Sequence, residues 1–377
     1  MTQIKEIGKR ELLNKLFEGT GYTNIAAGTM VQTVAPAAGQ PAAATGQPTA
    51  AAGQPDAAAG QPTAAAGGSV GFVTPSGRQY TMVDSFLWLE AIDFNLVYTP
   101  LKHLGYKIVL NAVGRLFAKC FQLKGLQFTI GLSARFSVEN IQELWSGVVA
   151  AAKEYGAEQL SLELNSSLTG ISIAVASMGV QKQSVMEKIP PVAKNHLICI
   201  TGDLGAAYLG LHVLERERVA FEKIPQSEIA KYKQPDLSKY KYILSQYLGP
   251  HFSPTLLQQW KEAKIYPSSG YFITRGLAYT VKRLCEESGL GAKIFITKIP
   301  IASKTFEAAE EFGIDATTSA LNGGDDYKFL FTIPLEKHDE LKREFPAYDI
   351  IGHLCAPEAG QTIITPDGAS LEIKAQE

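Results

Sequence analysis

Apolar residues recur along this chain in two rhythms. Alternating or continuous apolar runs at 81–96, 127–132 (QFTIGL) and 171–179 (ISIAVASMG) predict strands. Between them the period lengthens to that of a helix. Ser137 is placed to cap one whose Ile141, Leu144, Trp145, Val148 and Val149 share a face. From Leu197, LICITGDLG reads as a buried strand ending in a turn, followed by a helix expected to bury Leu204, Tyr208, Leu211 and Leu214. KIFITKIPI and DYKFLFTIP read as strands, and 350–354 as the start of a short closing strand pair. The polar, Tyr-rich stretch 223–247 reads as a surface excursion. Strands mixed with helices in two halves predict an α/β (α+β) protein with one core per half. The two prolines of KIPPVAKNH at 188–196 mark the boundary.

One stretch follows neither rhythm. In 35–68, GQP recurs at Gly39, Gly46, Gly53 and Gly60, a period of seven built from Ala, Gly, Gln, Pro and Thr. A Gly and a Pro in each unit break any heptad helix, and no large side chain is available to offset ordering entropy. The expectation is a disordered insertion or linker. The resulting division is 1–34, insertion 35–68, first domain 69–190 and second domain 191–377.

Composition narrows the function classes. At 377 residues there is room for two domains with proper cores. The net charge of −2 gives no basic field for nucleic acid or an anionic membrane. The four cysteines are far apart and form no CxxC pair, which argues against zinc and disulfide frameworks. The first residues lack the continuous apolar core of a signal peptide, and no run is long enough to span a bilayer. A cytoplasmic protein is expected.

Four long segments, in order, carry a resemblance: YTPLKHLGYK at 98–107, SSLTG at 166–170, TGDLGAAYLGL at 201–211 and LNGGDDYKFLFT at 321–332. HLCAPEAGQTIITPDG at 353–368 adds an ending, and IKEIGKRELLNKL a weaker beginning. Together they resemble thiamine-monophosphate kinase, of the aminoimidazole ribonucleotide synthetase-related superfamily. The resemblance implies a two-domain fold, with an N-terminal domain contributing to a dimer-spanning β-barrel and a C-terminal α/β domain. It also implies transfer of the γ-phosphoryl of ATP to thiamine monophosphate, with Mg2+. Such chemistry depends on carboxylates, because phosphoryl transfer is mostly positioning and charge neutralisation by metal ions.

At the family's aspartate positions, however, this chain carries Phe86, Gly114, Phe272 and Arg275. Its glycine-aspartate-aspartate segment has no counterpart, Gly114 falls in the segment matching its NLSD turn, and Asp93 stands for a substrate-side histidine. The remaining metal candidates are Asp84, two residues from Phe86 and on the same strand face, and Glu163. Candidates for nucleotide or phosphate are Thr201, Gly202, Asp203, Thr274 and Arg275; on the substrate side they are Asp93, Gly324, Asp325, Asp326 and Tyr327. Asp203 alternatively serves only as a helix cap, and Asn322-Gly323 only as a hairpin turn. Arg115 and Arg275 read either as surface charges or as guanidinium partners for phosphate. His103 and His353 flank apolar runs and read as structural.

Three functional readings follow. The chain is a degenerate homologue binding a nucleotide or small phosphorylated ligand, a working kinase with a reduced metal site, or a non-catalytic partner of itself or of a related kinase subunit. No catalytic residue is assigned.

Overall fold

The computed structural model describes residues 7–24, 72–76, 78–225, 227, 235–345 and 347–375. The repeat region 35–68 lies outside the described residues. Two sheets organise the rest. The first has five strands, β1 (Phe72–Ser76), β2 (Gln79–Leu89), β3 (Gln122–Leu132), β4 (Gln159–Ser166) and β5 (Ile171–Lys182), in the order β1-β2-β5-β3-β4. Only the β3–β4 pair is parallel. The run that reads as one strand over 81–96 stops at Leu89, because Asp93 accepts the Leu89 N–H (2.7 Å) and turns the chain.

One face of this sheet is covered by α2 (Leu101–Ala118) and α3 (Val138–Glu154), while α1 (Lys9–Phe17) packs Phe17 on Trp145 at 5.2 Å. Ser137 caps α3 as its sequence predicts, in a capping box with Asn140, and Ile141, Leu144, Trp145 and Val148 are buried. The two long helices cross closely because Gly105 and Gly147 face the partner helix's backbone, where a Cβ would not fit. Among the described residues the other face of the sheet is open, with Val83 and Leu87 exposed on it.

The second sheet has seven strands: β6 (Leu197–Ile200), β7 (Ser269–Ile273), β8 (Gly291–Phe295), β9 (Lys328–Ile333), β10 (Asp349–Cys355), β11 (Gln361–Ile364) and β12 (Ser370–Glu372). Their order is β12-β11-β8-β10-β6-β9-β7. The 350–354 run is therefore not a closing pair; β10 sits mid-sheet between β6 and β8, and β11 and β12 close the edge. Helices α4 (Ala206–Glu222), α5 (Lys241–Leu248), α6 (Leu256–Glu262), α7 (Leu277–Ser288), α8 (Ser303–Phe312), α9 (Ala316–Asn322) and α10 (His338–Glu344) complete the half.

Three expectations change here. Helix α4 buries Leu209, Val213 and Leu214 and leaves Tyr208 and Leu211 half-buried, so its buried stripe is rotated from the expected one. The end of the expected surface excursion is packed, with Tyr240, Ile243 and Tyr247 buried against α4. Finally, the largest apolar cluster is shared between halves rather than confined to one. It runs from Leu116 and Phe117 through Phe252 and Trp260 to Phe329 and Phe331. A second cluster lies around α7, with Ile273, Val281, Ile294 and Leu330.

Candidate functional site

Between the two sheets lies a cleft of about 350 Å³, within the usual size of small-molecule sites. The first half contributes Asp84, Phe86 and Trp88 from β2, and Asn111 and Arg115 from α2, with Lys119 just beyond it. The spacing 111, 115, 119 is the i, i+4 repeat that aligns side chains on one helix face. The second half contributes Tyr271 and Phe272 from β7, Thr274 and Arg275 from the turn after it, and Tyr279 and Arg283 from α7. Four cationic side chains, Arg115, Lys119, Arg275 and Arg283, face three carboxylates, Asp84, Asp93 and Asp325.

Asp84 is buried (3% exposed) and held by Arg115 in a fork, with Nε to Oδ2 at 2.7 Å and Nη2 to Oδ1 at 3.2 Å. Burial pushes the Asp84 carboxyl up, and Arg115 and the Ser85 N–H pull it back. The guanidinium also lies 5.3 Å over the Phe86 ring. Arg115 is thus no surface charge; it is fixed by the one carboxylate that β2 turns towards the cleft.

Gly114 and Phe272 meet. A Cβ built on Gly114 would lie under 3.0 Å from the Phe272 ring. The ring is fixed in turn by Phe329 (5.0 Å), Tyr327 (5.3 Å) and Phe252 (5.4 Å). Gly114 stands in the last turns of α2, not in a turn as the sequence match suggests. Two positions that the resemblance assigns to aspartate are therefore filled by one aromatic contact.

The motifs that survive hold one another. Lys107, from YTPLKHLGYK, is buried, reaches Asp325 at 3.0 Å and lies 4.0 Å over the Tyr247 ring. Asp326 accepts the Gly205 N–H at 2.8 Å and so satisfies a free donor at the start of α4. Its second oxygen has no partner among the described residues, and burial raises its carboxyl to about 8. Gly205, with φ 82°, is the N-cap of α4; Asp203 is not, and instead accepts from Tyr242 Oη at 3.2 Å. Lys328 lies over Gly202 and reaches Gln246 at 3.2 Å. The 322–327 segment is no hairpin. It links α9 to β9 through positive φ at Gly324, Asp325 and Tyr327.

The structure divides each candidate set. Of the metal pair, Asp84 lines the cleft and Glu163 does not. Strand register puts Glu163 with Thr129, Ala174 and Leu87 on the open sheet face, whereas Asp84 shares the covered face. Strands β2 and β4 are three steps apart, about 14 Å at ordinary strand spacing. Glu163 is instead paired with Lys9. One ion cannot use both. Of the phosphate set, Thr274 and Arg275 line the cleft, while Thr201 accepts the Phe329 N–H and closes the β6–β9 ladder with Gly202 and Asp203 beyond it. Of the substrate set, Asp93 and Asp325 line the cleft, and Gly324, Asp326 and Tyr327 do not. His103 bonds the Leu248 carbonyl at 3.1 Å, and His353 packs at 6.1 Å from Phe295. Sequence reading missed Lys119, Tyr279 and Arg283, whose only signal was the i, i+4 stripe on each helix.

A magnesium ion would have Asp84, Asp93 and Asp325 as its carboxylate donors in this cleft. That ion prefers several carboxylate or phosphate oxygens in an octahedral shell. Here Asp84 is paired with Arg115 and Asp325 with Lys107. Among the described residues no group of three or more His, Cys, Asp or Glu is arranged to hold a metal.

The fold matches that of solved thiamine-monophosphate kinase and HypE structures. The crystal structure of thiamine monophosphate kinase from Aquifex aeolicus superposes with TM-score 0.63 at 21% identity, covering 78% of this chain and 89% of that one. AaThiL complexed with AMPPCP and TMP gives 0.64 at 20% identity, covering 81% and 89%. A HypE–HypF complex gives 0.56 at 19%, covering 79% and 90%. In sequence, the chain is 23% identical to the thiamine-monophosphate kinase of Aquifex aeolicus over 248 residues, 66% of this chain and 74% of that protein. The enzyme of that name from Pyrococcus abyssi is 23% identical over 295 residues, 78% and 84%. No family model matches the chain. The chain is similar in sequence to thiamine-monophosphate kinases over two thirds or more of their length. No described helix is long and apolar enough to cross a membrane.

Proposed function

We propose that this chain is a thiamine-monophosphate kinase-like protein that binds a phosphorylated small molecule in the cleft and has lost metal-dependent phosphoryl transfer. The observation that carries this reading is the Asp84–Arg115 fork beside the Phe272 ring, where the family's chemistry asks for a cluster of free carboxylates. Arg275 supports the binding half of it. This residue is exposed, lines the cleft and contacts Tyr279, with no carboxylate partner among the described residues. Phe86, Trp88 and Tyr279 add aromatic surface for a ring. The relative complexed with AMPPCP and TMP supports a nucleotide or a thiamine phosphate as ligand.

Two further parts belong to this reading. The open sheet face with Val83 and Leu87 is the surface proposed for pairing with a second copy or a related subunit, in a barrel completed across the dimer. The division into 69–190 and 191–377 is proposed as two domains around the cleft.

Calorimetric titration of the purified chain with ADP, ATP and thiamine monophosphate tests the proposal. Saturable binding of at least one is expected, at one site per chain. Absence of binding by all three, in folded protein, overturns it.

One observation favours a working kinase instead, namely that Asp84 remains inside the cleft. That reading requires turnover that Asp84→Asn abolishes.

A further inference from the structure

Cationic side chains stand in this cleft at or beside positions that the resemblance gives to aspartate, and they bear on which form of a ligand it takes. This inference rests on the phospho-ligand reading above. A polyphosphate travels in the cell largely as its magnesium complex, and family chemistry receives it with carboxylates that share the ion. In this cleft the relation is reversed. Arg115 stands beside the position of Gly114 and has neutralised Asp84. Lys119 and Arg283 both lean on a single carboxylate, Glu287, at 3.7 and 2.6 Å, so two positive charges meet one negative. Arg275 has no acidic partner among the described residues, and Asp93 is an exposed carboxylate of the same cleft. A guanidinium satisfies phosphate oxygens directly and in fork geometry, which a bound metal ion would obstruct and repel.

We infer that the cleft selects the uncomplexed polyphosphate, with Arg275 and Arg283 contacting the anion where the family uses metal, so that magnesium is an antagonist of binding rather than a cofactor. The ligand class is a metal-free di- or triphosphate carrying an aromatic ring, the ring resting among Phe86, Trp88 and Tyr279. Nothing in this step moves a covalent bond.

The test is calorimetric titration with ATP, once in excess EDTA and once in excess magnesium chloride, on wild type and Arg275→Ala. The expected result is binding at least about tenfold tighter in EDTA, and about a tenfold loss in Arg275→Ala under EDTA, the scale of one charge-assisted hydrogen bond. Because Arg275 is exposed, its removal is expected to leave the melting temperature unchanged, which separates lost contact from lost fold. Titration with inorganic tripolyphosphate separates the two subsites, since the anion alone is expected to keep the EDTA preference with weaker affinity. Affinity equal or higher in magnesium overturns the inference and leaves the phospho-ligand reading standing. No binding in either buffer overturns both.

Discussion

The ring of Phe272 occupies the space that any side chain at position 114 would need, and Gly114 is the reason it can. The two residues come from different halves of the molecule, and their contact leaves no room for an acid at position 114. Substituting Gly114→Ala forces the ring out of a cluster with Phe252, Tyr327 and Phe329, at about 1–3 kcal/mol. Phe272→Ala removes the obstacle at a cost of about 3 kcal/mol of its own. In the double variant the Gly114→Ala penalty is expected to vanish. Urea denaturation of all four proteins measures the coupling, and additive losses would mean that the ring and the glycine do not constrain each other.

Arg115→Ala is expected to destabilise by about 3–5 kcal/mol, because it strands the buried Asp84 carboxylate. The loss has a pH signature. Burial already raises the Asp84 carboxyl, and without Arg115 it rises further. The folded variant therefore holds its proton at pH values where the unfolded chain has released it, so its deficit shrinks on acidification. Chevron or equilibrium denaturation at about pH 5 and about pH 8 distinguishes this from a simple packing loss, which would not change with pH.

Asp326 gives a second pH dependence, of predictable sign. Its folded carboxyl is raised to about 8 from 3.8, chiefly by burial, with Asp325 adding to the rise and the Gly205 N–H and Lys328 opposing it. A raised carboxyl contributes stability that is complete below the unfolded value and is lost as pH climbs through the folded one. Wild type is thus expected to weaken between about pH 4 and about pH 8. Asp326→Asn keeps an oxygen for Gly205 and removes the titration. The variant should gain on wild type over that window by on the order of 5 kcal/mol, read as melting temperature against pH. Parallel curves would show that Asp326 is ionised throughout.

Lys107→Met tests the joint between the surviving motifs. It removes the 3.0 Å contact to Asp325 and the charge over Tyr247, and a loss of about 1–3 kcal/mol is expected. Weakened ligand binding should accompany it, since Asp325 lines the cleft and is held there by Lys107. Unchanged binding would show that Asp325 needs no such support.

Much of the architecture was legible because it is local. Ser137 and its capping box, and the buried stripe from Ile141 to Val148, follow from neighbours within a few turns. The family was legible because its motifs are long and ordered, and they turn out to pack on one another through Lys107, Asp325, Asp326 and Gly205. What sequence could not reveal depends on contacts between distant segments. Gly114 read as a lost aspartate, yet its meaning is steric and set by Phe272. Asp203 had the spacing of a cap, but the cap donor at Gly205 is satisfied by Asp326 from another loop. Asp84 and Glu163 looked like a pair because charge shows in sequence, whereas the sheet face that each occupies follows from strand register. Tyr240, Ile243 and Tyr247 were hidden among Lys, Ser and Gln, and became core only once α4 lay over them.

The proposed loss of metal-dependent transfer is tested most directly by product formation. Purified chain is incubated with ATP, magnesium and thiamine monophosphate, and thiamine diphosphate is counted against protein. The expected result is no product beyond background, in protein that still binds a phosphorylated ligand by calorimetry. Thiamine diphosphate in many-fold molar excess, abolished by Asp84→Asn, would contradict it and show that the Asp84–Arg115 fork opens to admit a metal ion.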